Sequence, residues 1–157
     1  MTIKLLFMVF VLLVSGLLIY FKKKTIAFEK KELSKLAIEM KFDSNQQMIV
    51  LFLNYQDINY GVLNELLDKN TDPFYSMIIV MKGPQWLTTM KKKTWNRHRV
   101  IDLSEYPWIM PRSHSQVTSY INNKVVNIYE PVSYIKNMKS KSLEQQRDTG
   151  FQKSKTI

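Results

Sequence analysis

Residues 5–21 read LLFMVFVLLVSGLLIYF, an apolar run with no charge, and Lys22-Lys23-Lys24 follows at once. A membrane-crossing helix needs about 17–25 predominantly apolar residues. A cleaved signal peptide instead has an apolar core of about 7–15 residues and a small-x-small cleavage site, and Leu17 to Lys22 offers none. The pattern predicts an uncleaved transmembrane anchor over residues 3–21, with Lys22, Lys23 and Lys24 as its flank at the headgroups. A charged juxtamembrane segment, residues 22–36, is expected to form one or two helical turns.

Beyond it the hydrophobic pattern changes repeatedly. Ala37 to Phe42 alternates and predicts a short edge strand, with a turn at Asp43-Ser44-Asn45. Met48 to Leu53 is a continuous apolar run, the mark of a strand buried on both faces. Gly61 to Lys69 places Val62, Leu63 and Leu66 on one face of a short amphipathic helix. Thr71-Asp72-Pro73 breaks the chain. Tyr75 to Met81 is a second buried strand, closed by Gly83-Pro84. Pro84 suits the start of a helix from Gln85 to about Asn96, with Trp86, Leu87, Met90 and Trp95 as its apolar positions. Arg99 to Leu103 predicts a brief strand, and Ser104 to Ser113, with Pro107 and Pro111, an irregular segment. Gln116 to Ile121 and Lys124 to Tyr129 predict a hairpin. Asn122-Asn123 supplies the positive φ that a two-residue turn needs. Val132, Tyr134, Ile135 and Met138 predict a last helix, and residues 139–157 a polar, flexible tail. Residues 37–138 thus form one α/β domain.

Charge and composition narrow the partners. The formal net charge is +10, from 23 Lys+Arg against 13 Asp+Glu. With Lys4 and Lys22 to Lys24 assigned to the anchor, 19 basic residues against 13 acidic ones leave +6 on the remainder. Such a tethered domain is drawn to anionic lipid at about 1 kcal/mol per suitably placed Lys or Arg. No recognition helix, zinc-finger spacing or RNA-binding signature argues for nucleic acid. The chain has no cysteine, which removes disulfides, thiol catalysis and thiolate metal sites. His98 and His114 fall short of the three or four ligands of a zinc site and are expected to be scattered surface residues; no metal or cofactor is expected. Ser113, His114 and Asp102 lack the nucleophile elbow that would make a hydrolase relay credible.

The order strand, helix, strand, helix, short strand, hairpin, helix is that of a thioredoxin-type α/β sandwich. In thioredoxin-like proteins a buried strand ends in an aromatic, and a Cys-x-x-Cys opens the first helix about five residues later. Here Phe52 is followed, five residues on, by Asp57-Ile58-Asn59-Tyr60. In that family a loop ending in a cis-proline leads into the hairpin, and here His114-Ser115 precedes Gln116. Residues 37–138 therefore resemble a degenerate, membrane-anchored thioredoxin-like domain. Asp57 and Tyr60 stand at the two cysteine positions and Ser115 at the cis-proline position, where a trans bond is expected. The resemblance implies a three-layer sandwich with a mixed central sheet. It also implies a groove between the loop before the first helix and the strand after Ser115.

Thiol–disulfide exchange needs a thiolate, so that activity is excluded. The candidate binding residues are Tyr55, Asp57, Asn59 and Tyr60, with His114 and Ser115 opposite. Asp57 and Asn59 are also the residue types that cap helices, and capping alone is the simpler account of them. The reading that follows is a non-catalytic, membrane-tethered interaction protein binding a peptide or a neighbouring membrane protein. An accessory part in maturation, export or resistance for a secreted peptide suits it. The alternative is a non-redox enzyme using Asp57, Tyr60 or His114. Two considerations oppose each other on topology: lysines beyond the anchor favour a cytoplasmic domain, whereas anchored thioredoxin-like proteins often act outside the membrane.

Overall fold

Helix α1 runs unbroken over Thr2–Glu39, about 57 Å at 1.5 Å per residue. The computed structural model describes residues 2–42, 47–69, 76–128 and 130–138. The turn at Asp43-Ser44-Asn45, the break at Thr71-Asp72-Pro73, Tyr75, Tyr129 and the tail from Lys139 lie outside those residues. The first half of α1 is long and apolar enough to cross a membrane, with a mean hydropathy of 2.0, and no part of that window is buried.

The second half of α1 is a core helix. Glu29, Glu32, Leu33, Leu36 and Met40 are buried, a spacing of three and four residues that only a helix brings to one face. This corrects the edge strand expected at Ala37–Phe42 and the short helical turns expected at 22–36. In a strand Ile38 and Met40 would share a face; here Ile38 is exposed while Met40 is buried. The helix ends in a Schellman arrangement: Phe42 N–H donates to Ala37 O, Lys41 N–H donates to Ile38 O, and Lys41 takes φ 56°. Lysine thus occupies the left-handed position that glycine usually fills.

The sheet comprises β1 (Met48–Asn54), β2 (Ile78–Lys82), β3 (Arg99–Asp102), β4 (Gln116–Ile121) and β5 (Lys124–Ile128), in the spatial order β3-β2-β1-β4-β5. The first three are parallel; β4 pairs antiparallel with β1 and β5 with β4. The free edge on the parallel side is therefore β3, not a strand preceding β1. Asn122 and Asn123 carry φ 47° and 61° in the β4–β5 turn, as a primed hairpin turn requires.

Helices α2 (Tyr60–Asp68) and α3 (Gln85–Thr94) connect successive parallel neighbours. Right-handed crossovers in one direction put both on one face. Asp68, ending α2, ties them: its carboxylate accepts from Lys91 Nζ at 3.2 Å and from Trp95 Nε1 at 2.6 Å. A last helix, residues 131–138, contributes Ile135 to the same layer. That core holds Leu51, Leu53, Leu63, Leu67, Ile79 and Trp95. The opposite core joins Leu33, Leu36 and Met40 of α1 to Val50, Phe52, Val80 and Ile109. The result is three layers: α1, the sheet, and the other helices.

Two helix faces differ from expectation. Leu63 and Leu67 are the buried residues of α2, whereas Val62 is exposed. In α3 it is Thr88 and Lys91 that are buried, and Trp86 and Met90 are exposed. Lys91 can face inward because Asp68 meets its charge and the Trp95 ring lies 4.6 Å from its ammonium. The segment from Tyr106 to Pro111 covers the sheet beside α1: Ile109 is in the core and Trp108 packs against it, leaving Met110 exposed.

Candidate functional site

Asn54, the last residue of β1, organises the loop that follows. Its Nδ2 donates to Ser113 O at 2.8 Å, its Oδ1 accepts from Gln56 N–H at 3.1 Å, and its own N–H donates to Ser115 Oγ at 3.1 Å. The chain then turns, Asp57 N–H donating to Asn54 O at 3.0 Å, and enters α2. Asn54 was not among the candidates from sequence; a polar residue closing a buried apolar strand was the available signal.

Asp57 is the hinge of the site. Its Oδ1 accepts the Asn59 N–H at 2.8 Å and its Oδ2 accepts the Ser115 N–H at 2.6 Å. Partial burial pushes the carboxyl upward. The backbone donors of Asn59 and Ser115, the Ser115 hydroxyl and the charge of His114 outweigh this and hold it below its ordinary value. The Asn59 side chain makes no cap bond, so of the two expected capping residues only Asp57 serves the helix start.

The other candidates surround this pair unevenly. Tyr55 donates its N–H to Lys82 O at 3.1 Å and rests its ring on Gly83. A Cβ at position 83 would lie 3.2 Å from that ring, so glycine permits the close approach. Tyr60 is half-buried, and burial followed by the charge of Asp68 raises its phenol. Asn59 and His114 are exposed, while Ser115 is buried. The structure thus brings Asp57, Asn59, His114 and Ser115 together; Tyr60 turns toward Asp68 and Tyr55 toward β2.

Beside the site lies an ionic cluster that sequence reading missed. Arg112 Nη2 is 2.8 Å from Glu32 Oε2 and 3.7 Å from Glu29 Oε1, and its guanidinium stands 4.7 Å from the centre of the Phe52 ring. Glu32 also accepts the Met110 N–H. This cluster locks the 106–113 segment, and with it the approach to Ser115, onto α1. His98 corrects another expectation: it is buried, and neither ring nitrogen has a hydrogen-bond partner among the described residues. No group of three or more His, Cys, Asp or Glu able to hold a metal occurs among the described residues. Asp102, once conceivable in a relay with His114, accepts instead from Ser104 N–H at 2.9 Å and Ser104 Oγ at 2.7 Å.

No protein-family model, no curated protein and no solved structure matches the chain.

Proposed function

We propose that this chain is a single-pass, membrane-tethered interaction protein with a degenerate thioredoxin-like domain. It binds an extended peptide segment, from a secreted peptide or a neighbouring membrane protein, without catalysing a reaction. The observation that carries the reading is the contact between Asp57 and Ser115. Laying the thioredoxin-like pattern on the sequence puts these two at the first-cysteine and cis-proline positions. They are 58 residues apart in the chain and joined by a 2.6 Å hydrogen bond. In family members the loop before the first helix and the backbone beside the cis-proline position hold an extended substrate segment.

Binding suits the chemistry of the pair better than catalysis. A carboxylate held below its ordinary pKa by several donors is a weak proton acceptor near neutrality. The exposed residues Asn59 and His114 line the loop and offer side-chain donors and acceptors to a peptide backbone. The bare apolar stretch of α1 supports the tether.

A photocrosslinking amino acid at Asn59, expressed in the native host, tests the site, with Val126 on the far hairpin as control. A discrete protein adduct from position 59 alone is expected, and Asn59→Ala combined with His114→Ala should lower capture by a neighbouring probe at Tyr55. Adducts of equal yield from both positions, or none from position 59, would overturn the assignment.

A further inference from the structure

We propose, resting on the membrane-tethered reading above, that the end of the domain bearing the Asp57–Ser115 pair sits in the bilayer interface, its exposed apolar side chains immersed among phospholipids. The direction of the chain carries this. Only residues 40–47 separate the end of α1 from the start of β1, so β1 returns antiparallel to the helix. Arg112 confirms the register by bridging Glu29 and Glu32 of α1 to the ring of Phe52. From that level to Met40 the helix rises about 12–17 Å, and from Phe52 back to Met48 the strand covers about 13 Å. The two lengths agree, so helix and strand axes are close to parallel.

Glu29 and Glu32 follow Phe21, the end of the apolar run, by about 12–17 Å of helix. Leu53 and Asn54 extend about 7 Å back in that direction. Asn54 therefore lies about 5–10 Å from the level of Phe21, and the interfacial layer beyond the hydrocarbon is about 5–7 Å thick on each side. The loop after Asn54 and the start of α3 project from this end. Their most exposed apolar residues are Ile58 at 95% and Trp86 at 68%.

A second observation fixes the contact independently. Met110, 53% exposed, lines a concavity of about 330 Å³ with Phe21, Lys24, Thr25 and Phe28. That hollow joins the domain directly to the last turns of the apolar helix. It has apolar walls for an acyl chain and an ammonium for a phosphate, and Lys22 and Lys23 lie beside it in the chain. Trp86, exposed at the start of α3 on the other face of the sheet, is the residue type that favours this layer.

The absence of cysteine allows single nitroxide labels to test this. Ile58→Cys, Trp86→Cys, Leu13→Cys and Val126→Cys are labelled in the full chain. Each is reconstituted into vesicles of equal parts phosphatidylcholine and phosphatidylglycerol. Collision rates with oxygen and with a neutral nickel chelate are then compared. The expected oxygen-to-nickel ratio at positions 58 and 86 is severalfold above that at 126 and approaches that at 13. A ratio at 58 and 86 equal to that at 126, with position 13 lipid-like, overturns the seating alone. Protection of position 58 from both reagents means that protein covers it, and overturns the seating as well. A water-like value at position 13 removes the tether itself.

Discussion

Asp57 Oδ2 receives the backbone N–H of Ser115 at 2.6 Å while Oδ1 receives that of Asn59. One carboxylate therefore joins the start of α2 to the residue that leads into β4. Removing it with Asp57→Ala should cost about 1.5–3 kcal/mol, the range for hydrogen bonds to a charged group, measured by denaturant unfolding in detergent micelles. The folded carboxyl is held below 3.8, so its contribution is complete above that pH and is lost as pH falls through the lower folded value. Asp57→Asn should remove that acid limb. Unfolding curves identical to wild type at neutral pH would show that the pair is incidental.

Arg112 stands between two buried carboxylates. Arg112→Met takes the cation away from Glu29 and Glu32 and should destabilise the domain by about 3–5 kcal/mol, as breaking a buried ion pair does. Adding Glu32→Gln to that variant should restore part of the loss. A double variant no more stable than Arg112→Met would show that Glu32 does not depend on the arginine. Thermal unfolding in micelles separates these cases.

Asp68 serves two donors on the other face of the sheet. Trp95→Phe keeps the ring in the core but deletes the indole N–H that lies 2.6 Å from Asp68; a loss of about 1.5–3 kcal/mol is expected. Asp68→Ala should cost more, because it also strands the buried ammonium of Lys91. The reverse ranking in urea unfolding would remove Asp68 from its place as the tie between α2 and α3.

His98 is held below its ordinary pKa, first by burial and then by the charge of Arg97. Protonation therefore favours the unfolded chain. Its destabilising effect is absent above about pH 6.5 and grows as pH falls below that value toward the folded pKa. His98→Phe should flatten the stability profile below about pH 6.5 relative to wild type. An unchanged slope would place the titration elsewhere.

The strands were legible because their signals are local. The unbroken run at Met48–Leu53, the apolar stretch ending at Met81 and the Asn-Asn turn each state their conformation within a few residues. The end of α1 was not, since Lys41 adopts the left-handed turn without a glycine to mark it, and Ile38, Met40 and Phe42 imitate an alternating strand. The face of α3 misled for a different reason. Lys91 is buried only because Asp68 waits 23 residues earlier, and that partner is invisible to any periodic pattern. The residues around Asp57 and Ser115 were named from sequence, but their hydrogen bonding depends on Asn54 and Ser113. Nothing in the pattern of Arg112, Glu29 and Glu32 announced that they would meet.

Helix α1 passes from its apolar half into the domain core without a break, so the chain has no swivel. With 3.6 residues per turn, a single residue inserted between Lys24 and Glu29 would swing the domain through about 100° and displace it about 1.5 Å along the axis. Bearing and height are therefore counted out in residues. On the tethered reading proposed above, a partner in the same membrane would meet this protein in one pose, and their encounter would become a search across a plane instead of through a volume.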